Sequence, residues 1–421
     1  MRQALPAVRA PNERSRSACR SELVRRGARA RTHRQLKQVA EAGSNSVVRS
    51  RMKIESIAIH EVQLDLKNFF ETSFARVTYE RFLLLQVTVD GVTGWSECVA
   101  SESPSYSSET VQTALHVLED FIAPIVFGRD YAHPDEVLPS LHVIRGHNMA
   151  KAAVEMGFWE AYARTRGESL SKALGGTRTE IASGVSIGIQ DSVDQLLSKI
   201  EGELADGYRR IKIKIKPGWD LDVVRQVRER FPDILLMVDA NSAYSLDDVK
   251  LFQEMDAYDL MMIEQPLDYH DMWDHAALQK QIKTPICLDE SVHSLDDARR
   301  AIEMSATRII NVKAGRVGGL SSARDIQKLA AEHDIPVWCG GMLESGIGRA
   351  HNVHVSTLPN FALPGDVADS KRYFVEELIE PTVQVRSDGT IRVPDGPGIG
   401  YTVLEDRIAK RRISHRVLTP S

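Results

Sequence analysis

The chain has 421 residues, of which 43% are hydrophobic and 26% charged, with a formal net charge of −5. That is enough to bury a large core, and two domains is the natural expectation. No apolar run is long enough to span a bilayer, and Cys19, Cys98, Cys287 and Cys339 show no paired spacing, which excludes a helical membrane protein and a disulfide scaffold and suits a reducing cytoplasm.

Residues 1–51 differ in kind from the rest. They hold 12 Arg and one Lys against three Glu, a net of +10 that leaves −15 on the remainder. The stretch reads as a disordered or upstream extension, with Met52 as the working start. A targeting peptide fits its Arg-rich, acid-poor composition but lacks an apolar segment for secretion. Nucleic-acid binding ranks last, because no aromatic residue is there to stack on bases.

Over residues 54–99 apolar and polar positions alternate, with a turn at Asp90-Gly91, and Gly94-Trp-Ser-Glu-Cys98 closes a small antiparallel sheet. Residues 110–121 and 149–164 read as helices, the second with Ala152, Ala153, Met156 and Trp159 near helical spacing. Short apolar runs then recur. They are Gly184-Val-Ser-Ile-Gly-Ile189, Arg210-Ile-Lys-Ile-Lys-Ile215, Leu235-Leu-Met-Val-Asp239, Leu260-Met-Met-Ile-Glu264, Pro285-Ile-Cys-Leu-Asp289, Arg308-Ile-Ile-Asn-Val-Lys313, Pro336-Val-Trp-Cys-Gly-Gly-Met342 and a weak run at Pro364-Gly-Asp-Val367. Each has the look of a buried parallel strand, and the gaps, such as residues 220–231 and 294–306, are long enough for a crossover helix. Repeated βα units without a Rossmann glycine fingerprint favour a closed eight-strand barrel.

Lys214, Asp239, Glu264, Asp289 and Lys313 end runs two to six at steps of 25, 25, 25 and 24 residues. A solvated surface charge is the default for any one of them. Placement at successive strand ends overturns that default, because one ring gathers all five. Strands two and six lie opposite each other in such a ring, so Lys214 and Lys313 face each other while the three acids share a wall. Three converging carboxylates cannot all stay ionised without a cation. Oxygen donors without His or Cys point to a hard ion such as Mg2+, with Mn2+ or another divalent ion as alternatives. Lys212 shares the inward face with Lys214 and would lower its pKa by like-charge repulsion, giving an amine able to act as a base. Two bases flanking a metal-held substrate suit removal of a proton alpha to a carboxylate through an enolate.

The same residues resemble a known family. Ile211-Lys-Ile-Lys-Ile-Lys-Pro-Gly-Trp-Asp220, Val238-Asp-Ala-Asn241, Ile263-Glu-Gln-Pro266, Leu288-Asp-Glu-Ser291, Asn311-Val-Lys-Ala-Gly-Arg-Val-Gly-Gly319 and Gly340-Gly-Met-Leu-Glu-Ser-Gly-Ile-Gly-Arg-Ala-His351 are similar to the enolase superfamily, muconate-lactonizing subgroup. Within it they look like the branch of o-succinylbenzoate synthases and N-acylamino acid (N-succinylamino acid) racemases. The resemblance runs from about Met52 to the C-terminus. It implies Lys214 and Lys313 as the acid/base pair, Asp239, Glu264 and Asp289 as Mg2+ ligands, and Lys212, Ser186, Asn241 and Met342 near the substrate. It also implies an α/β fold, a modified (β/α)7β TIM barrel (181–375) with an N-terminal α+β capping domain (52–180) completed by a C-terminal segment (376–421). Loops at 68–76 and 102–110 would cover the barrel mouth, with Phe69, Phe70, Phe74 and Tyr106 making a partly apolar pocket. The implied partners are a small-molecule carboxylate and further copies of the chain, with no nucleic acid and no membrane.

Both dehydration to o-succinylbenzoate, a menaquinone-pathway reaction, and racemisation of an N-succinylamino acid would use these residues. Dipeptide epimerisation and muconate cycloisomerisation are alternatives within the subgroup. A catalytically silent binding barrel is the alternative of another class, and the costly charge cluster argues against it. Other features have plainer readings. Gly315-Arg-Val-Gly-Gly-Leu320 does not fit GxGxxG. His351 and His354 sit a helical turn apart without a third ligand and read as structural. Cys287 reads as buried core, and Lys216 as an exposed loop charge past its strand.

Overall fold

The computed structural model describes residues 51–73 and 75–420. The readings made for residues 1–50, for Cys19 and for Phe74 lie outside the described residues.

Three antiparallel strands open the fold: β1 (Met52–Glu71), β2 (Arg76–Val89) and β3 (Val92–Cys98). The β2–β3 turn has two central residues, Asp90 (φ 46) and Gly91 (φ 77). Both lie at positive φ, as a tight hairpin of right-handed strand twist requires. Both faces of this sheet are covered. Leu83, Leu85 and Val87 pack against the helices α1 (Val111–Val117) and α2 (Asn148–Thr165), while Val62, Leu64, Phe82 and Leu84 pack toward the barrel. Helix α2 is buried nearly all round, Lys151, Glu155 and Glu160 included. It lies tight on β3 because Gly94 faces Gly157, and a methyl group at Gly94 would strike the Gly157 carbonyl.

The barrel follows as seven parallel strands in sequence order: β4 (Gly184–Ile187), β5 (Arg210–Lys214), β6 (Leu235–Asp239), β7 (Ile263–Glu264), β8 (Ile286–Leu288), β9 (Ile309–Val312) and β10 (Val337–Cys339). Strand β7 is shorter than the apolar run predicts, although Met261 N still donates to Leu236 O and Met262 O accepts from Val238 N of β6. The weak eighth run is not a regular strand, because Pro364 has no N–H to give. It still closes the ring. Ala362 N donates to Val337 O and Asp366 N to Cys339 O on one side, and Gly184 N donates to Gly365 O on the other. Met237, Met262, Cys287, Ile309 and Trp338 fill the barrel interior below the strand ends, so Cys287 is core, as read.

Seven helices wrap the strands: α3 (Val193–Ala205), α4 (Leu221–Arg230), α5 (Val249–Met255), α6 (Trp273–Gln279), α7 (Leu295–Glu303), α8 (Leu320–Glu332) and α9 (Gly346–Val355). Ser192, Asp220 and Ser294 cap the first turns of α3, α4 and α7. The chain then returns to the first sheet. Lys67 N donates to Tyr373 O, and β11 (Arg412–Leu418) pairs antiparallel with β1, Ile57 opposite Leu418.

Two buried carboxylates of the cap dock it on the barrel. Glu155 accepts from Leu320 N and Ser321 N at the start of α8, and Glu97 accepts from Ser345 N and Gly348 N at the start of α9. Helix N-termini welcome negative charge there. His351 and His354 on α9 are wholly buried and bond the carbonyls of Trp95 and Ile399. They serve packing between elements, as the structural reading expects.

Candidate active site

The register of the sheet assembles the site. Lys214 pairs with Asp239 across β5–β6, and Asp239 with Glu264 across β6–β7. Asp289 and Lys313 each follow the last residue of their strands directly. All five side chains are buried. The structure thus brings together every charge that the spacing put on one ring.

Charges are matched locally. Lys214 Nζ lies 2.5 Å from Asp239 Oδ2 and 2.8 Å from Asn241 Oδ1. Lys212 Nζ donates to Glu264 Oε2 at 2.9 Å, pairs with Asp366 at 2.5 Å and sits 4.9 Å from the Trp338 ring centroid. Burial works against its charge, but Asp366, Glu264 and Asp239 outweigh it and hold the ammonium well above the usual lysine range. Lys212 is therefore a fixed positive charge beside Lys214. Lys313 Nζ donates to Asp289 Oδ2 at 2.8 Å and to Tyr106 Oη at 3.0 Å. Burial opposes its charge too, and Asp289 more than compensates, raising it.

The three acids are unequal. Burial, reinforced by the charge of Asp239, pushes Glu264 up to about 8. Burial opposes the charges of Asp289 and Asp239 too, but Arg316 and Lys313 hold the first below the ordinary range and Lys214 and Lys212 the second. Three oxygen-donor carboxylates on adjacent strand ends, one of them destabilised as an anion by burial and by the others, fit a hard divalent cation in their chemistry.

A cavity of about 470 Å³ opens above this cluster, lined by Lys212, Lys214 and Lys313 from below and by β2 and the Ser101–Tyr106 loop of the cap from above. Ser186, Asn241 and Met342 line it as well. The Ser186 hydroxyl is buried without a hydrogen-bond partner among the described residues, an arrangement that calls for one from a ligand. Asn241 holds a left-handed φ of 43, donates from Nδ2 to Glu290 and accepts from Lys214. Phe70 and Tyr106 line the cavity as expected, but Phe69 does not. Adjacent residues of a strand point to opposite faces, and Phe69 instead stacks under the Arg76 guanidinium at 4.0 Å. The loop expected at 68–76 is mostly β-ribbon, since β1 runs on to Glu71 and β2 begins at Arg76. Lys216 lies past its strand but is not freely exposed, since its Nζ approaches Glu71 Oε1 at 3.4 Å.

Four further residues of the site are not among those expected from the sequence. Arg316 is buried, pairs with Asp289 and donates to Tyr106 Oη at 2.8 Å. Asn311, two residues before Lys313 and so on the same face, donates to Glu264 Oε1. Glu290 holds Asn241, and Asp366 joins Arg210 to Lys212.

Family models match along the same length: a mandelate racemase / muconate lactonizing enzyme N-terminal domain over residues 54–175 and an enolase C-terminal domain-like model over 195–407. The chain belongs to the enolase superfamily. An o-succinylbenzoate synthase of Geobacillus kaustophilus is 52% identical over 373 residues, 87% of this chain and 99% of that protein. An N-succinylamino acid racemase of Thermus thermophilus is 46% identical over 83% of this chain and 94% of its own length. The crystal structure of an enolase superfamily member from Listeria innocua superposes with a TM-score of 0.85 at 39% identity, covering 87% of this chain and 99% of that one. The chain is thus an enzyme of this superfamily, a capping domain on a β/α barrel, and enolase superfamily enzymes use a divalent metal, typically Mg2+. Among the described residues no helix is long and apolar enough to cross a membrane.

Proposed function

We propose that the enzyme removes a proton alpha to a substrate carboxylate, acting as an o-succinylbenzoate synthase, an N-succinylamino acid racemase, or both. The observation that carries this is the placement of Lys214 and Lys313 on the second and sixth staves of an eight-stave ring, lining one cavity. Amines on opposite walls reach opposite faces of a planar enolate.

In racemisation one lysine, as the free amine, takes the alpha proton, and the other, as ammonium, returns a proton to the opposite face. Their roles exchange with the direction of reaction. In dehydration Lys214 takes the proton, the C–O bond at the neighbouring carbon breaks, and the hydroxyl leaves as water with a proton from the ammonium just formed. Lys313 stays cationic and stabilises the enolate. Asp239, Glu264 and Asp289 would hold a Mg2+ ion, which when bound supplies positive charge where the carboxylate gains electron density. Lys212 keeps a positive charge beside Lys214, Asn241 orients the Lys214 amine, and Ser186 and Met342 contact the substrate. The cap keeps water from the carbanion. Cytoplasmic residence belongs to the same proposal, supported by the unpaired, buried Cys98, Cys287 and Cys339. Self-association is expected from family membership alone.

The test is a side-by-side assay with the o-succinylbenzoate precursor and a panel of N-succinylamino acids, compared by kcat/KM. Turnover of either class supports the proposal. Turnover of neither, with activity on dipeptides or on muconate instead, would replace it.

A further inference from the structure

The part of the cavity wall supplied by β2 carries a carboxyl group that no cation among the described residues pairs with. Thr78, Tyr79, Glu80 and Arg81 all line the cavity. Arg81 is paired with Glu61 and with Glu102 at 3.1 Å, Tyr79 Oη donates to Glu102 at 2.9 Å, and Arg76 is paired with Glu71 and with Asp191 at 2.8 Å. Glu80, half-buried, has no hydrogen bond or ion pair among the described residues.

Strand parity fixes where it points. Glu80 shares a face with Phe82 and Leu84, which pack on the barrel side, and lies opposite Leu64 of β1, which does the same. Leu83 and Leu85, on the other face, pack against the cap helices. The Glu80 carboxyl therefore leaves the ribbon toward the barrel mouth, across the cavity from the lysines. The site is poorly solvated: burial, with the charge of Glu102 adding to it, pushes the carboxyl up to about 7.

We propose that Glu80 is a specificity-determining residue, which reads the charge of the substrate arm lying against β2 and favours cationic over neutral over anionic groups there. Arg76, Arg81 and Glu102 of that wall are already engaged in ion pairs, whereas Glu80 has its interaction still to give. A cation or hydrogen-bond donor opposite it recovers solvation lost when the substrate fills the cavity, whereas an anion meets like charge in a drying site. Lys214 and Lys313 fix how the proton moves, and Glu80 biases which molecule brings it.

The inference rests on the proposed reaction class, and its test keeps the two separate. The full-length enzyme with Mg2+ is assayed at pH 8.5, where Glu80 is ionised, with two series of N-acylamino acids. One varies the side chain (lysine, norleucine, glutamate) at constant acyl group. The other varies the acyl group (acetyl, succinyl) at constant side chain. In at least one series the wild type ranks cationic or neutral above anionic. Glu80→Gln is expected to shrink that kcat/KM ratio by about tenfold, a factor typical of one lost charge contact, and Glu80→Lys to invert it. Unchanged ratios in both series for both variants would overturn the inference. If no compound is turned over the reaction class fails, yet calorimetric affinities for the same compounds still report the charge ranking, and a flat ranking in wild type would overturn the role of Glu80 independently.

Discussion

Ser186 shows most simply what the site asks of a ligand. A buried hydroxyl that lacks a partner has already lost its water, and a substrate oxygen or nitrogen within reach restores the bond at little further cost. Ser186→Ala should therefore raise KM by about five- to tenfold, with a smaller change in kcat, as expected for a single net hydrogen bond. An unchanged KM for every substrate would remove Ser186 from the binding set. The five charged residues and Lys212 were legible in the sequence because strand alternation and a constant repeat leave few places for them to go. Arg316 was not, since its ion pair with Asp289 joins two different βα units, and no spacing rule links a turn residue to a neighbouring strand end. Asp366 was hidden for another reason: Pro364 breaks the regularity of its strand, so its inward direction cannot be counted.

Strand ends and helix ends do the positioning. Adjacent parallel strands in register place Asp239 beside Glu264, with Asp289 just past the end of the next strand, so the wall of three carboxylates is a property of three strands together. Chelation should abolish turnover, and adding Mg2+ or Mn2+ should restore it. Activity indifferent to chelators would remove the metal from the proposal. Helix α9 makes a second expectation. Its His354 accepts from Ser171 N at Nδ1 and bonds Ile399 O through Nε2, and burial lowers the ring to about 4. The folded state thus holds His354 neutral, whereas the unfolded chain protonates it below about 6.5. Its contribution is fully present above pH 6.5 and is lost as pH falls from there toward 4, at about 1.4 kcal/mol per pH unit. Melting temperatures measured between pH 7.5 and 5 should fall less steeply for His354→Asn than for wild type. Equal slopes would contradict the neutral, doubly bonded ring. The sequence showed only two histidines a helical turn apart. It could not show that both rings would be used to clamp the cap and the C-terminal segment.

In the whole molecule, the cap and barrel divide the work. The barrel brings the lysines and acids to one ring, and the cap closes over them through a ribbon whose two faces serve two cores. Fold class was legible because eight apolar runs at regular intervals leave few architectures other than a closed barrel. The length of the ribbon was less so. Its alternation continues through residues expected to form a loop, and only the pairing of Phe70 with Val77 and Glu71 with Arg76 extends the sheet that far. Glu97 and Glu155 gave no signal at all, because a carboxylate meeting the N-terminus of a helix far along the chain is a fact of tertiary structure alone.

Solvent deuterium exchange tests the opposed-base arrangement most directly. Each enantiomer of an N-succinylamino acid is incubated in deuterated buffer with Lys214→Ala and, separately, with Lys313→Ala, and exchange at the alpha carbon and inversion are followed together. Both variants should lose inversion by about 10²–10⁴-fold, the usual contribution of a positioned acid or base. Each should still exchange the alpha proton of one enantiomer only, and the two variants should choose opposite enantiomers. Inversion retained in either variant, or exchange of the same enantiomer by both, would contradict two lysines acting from opposite faces.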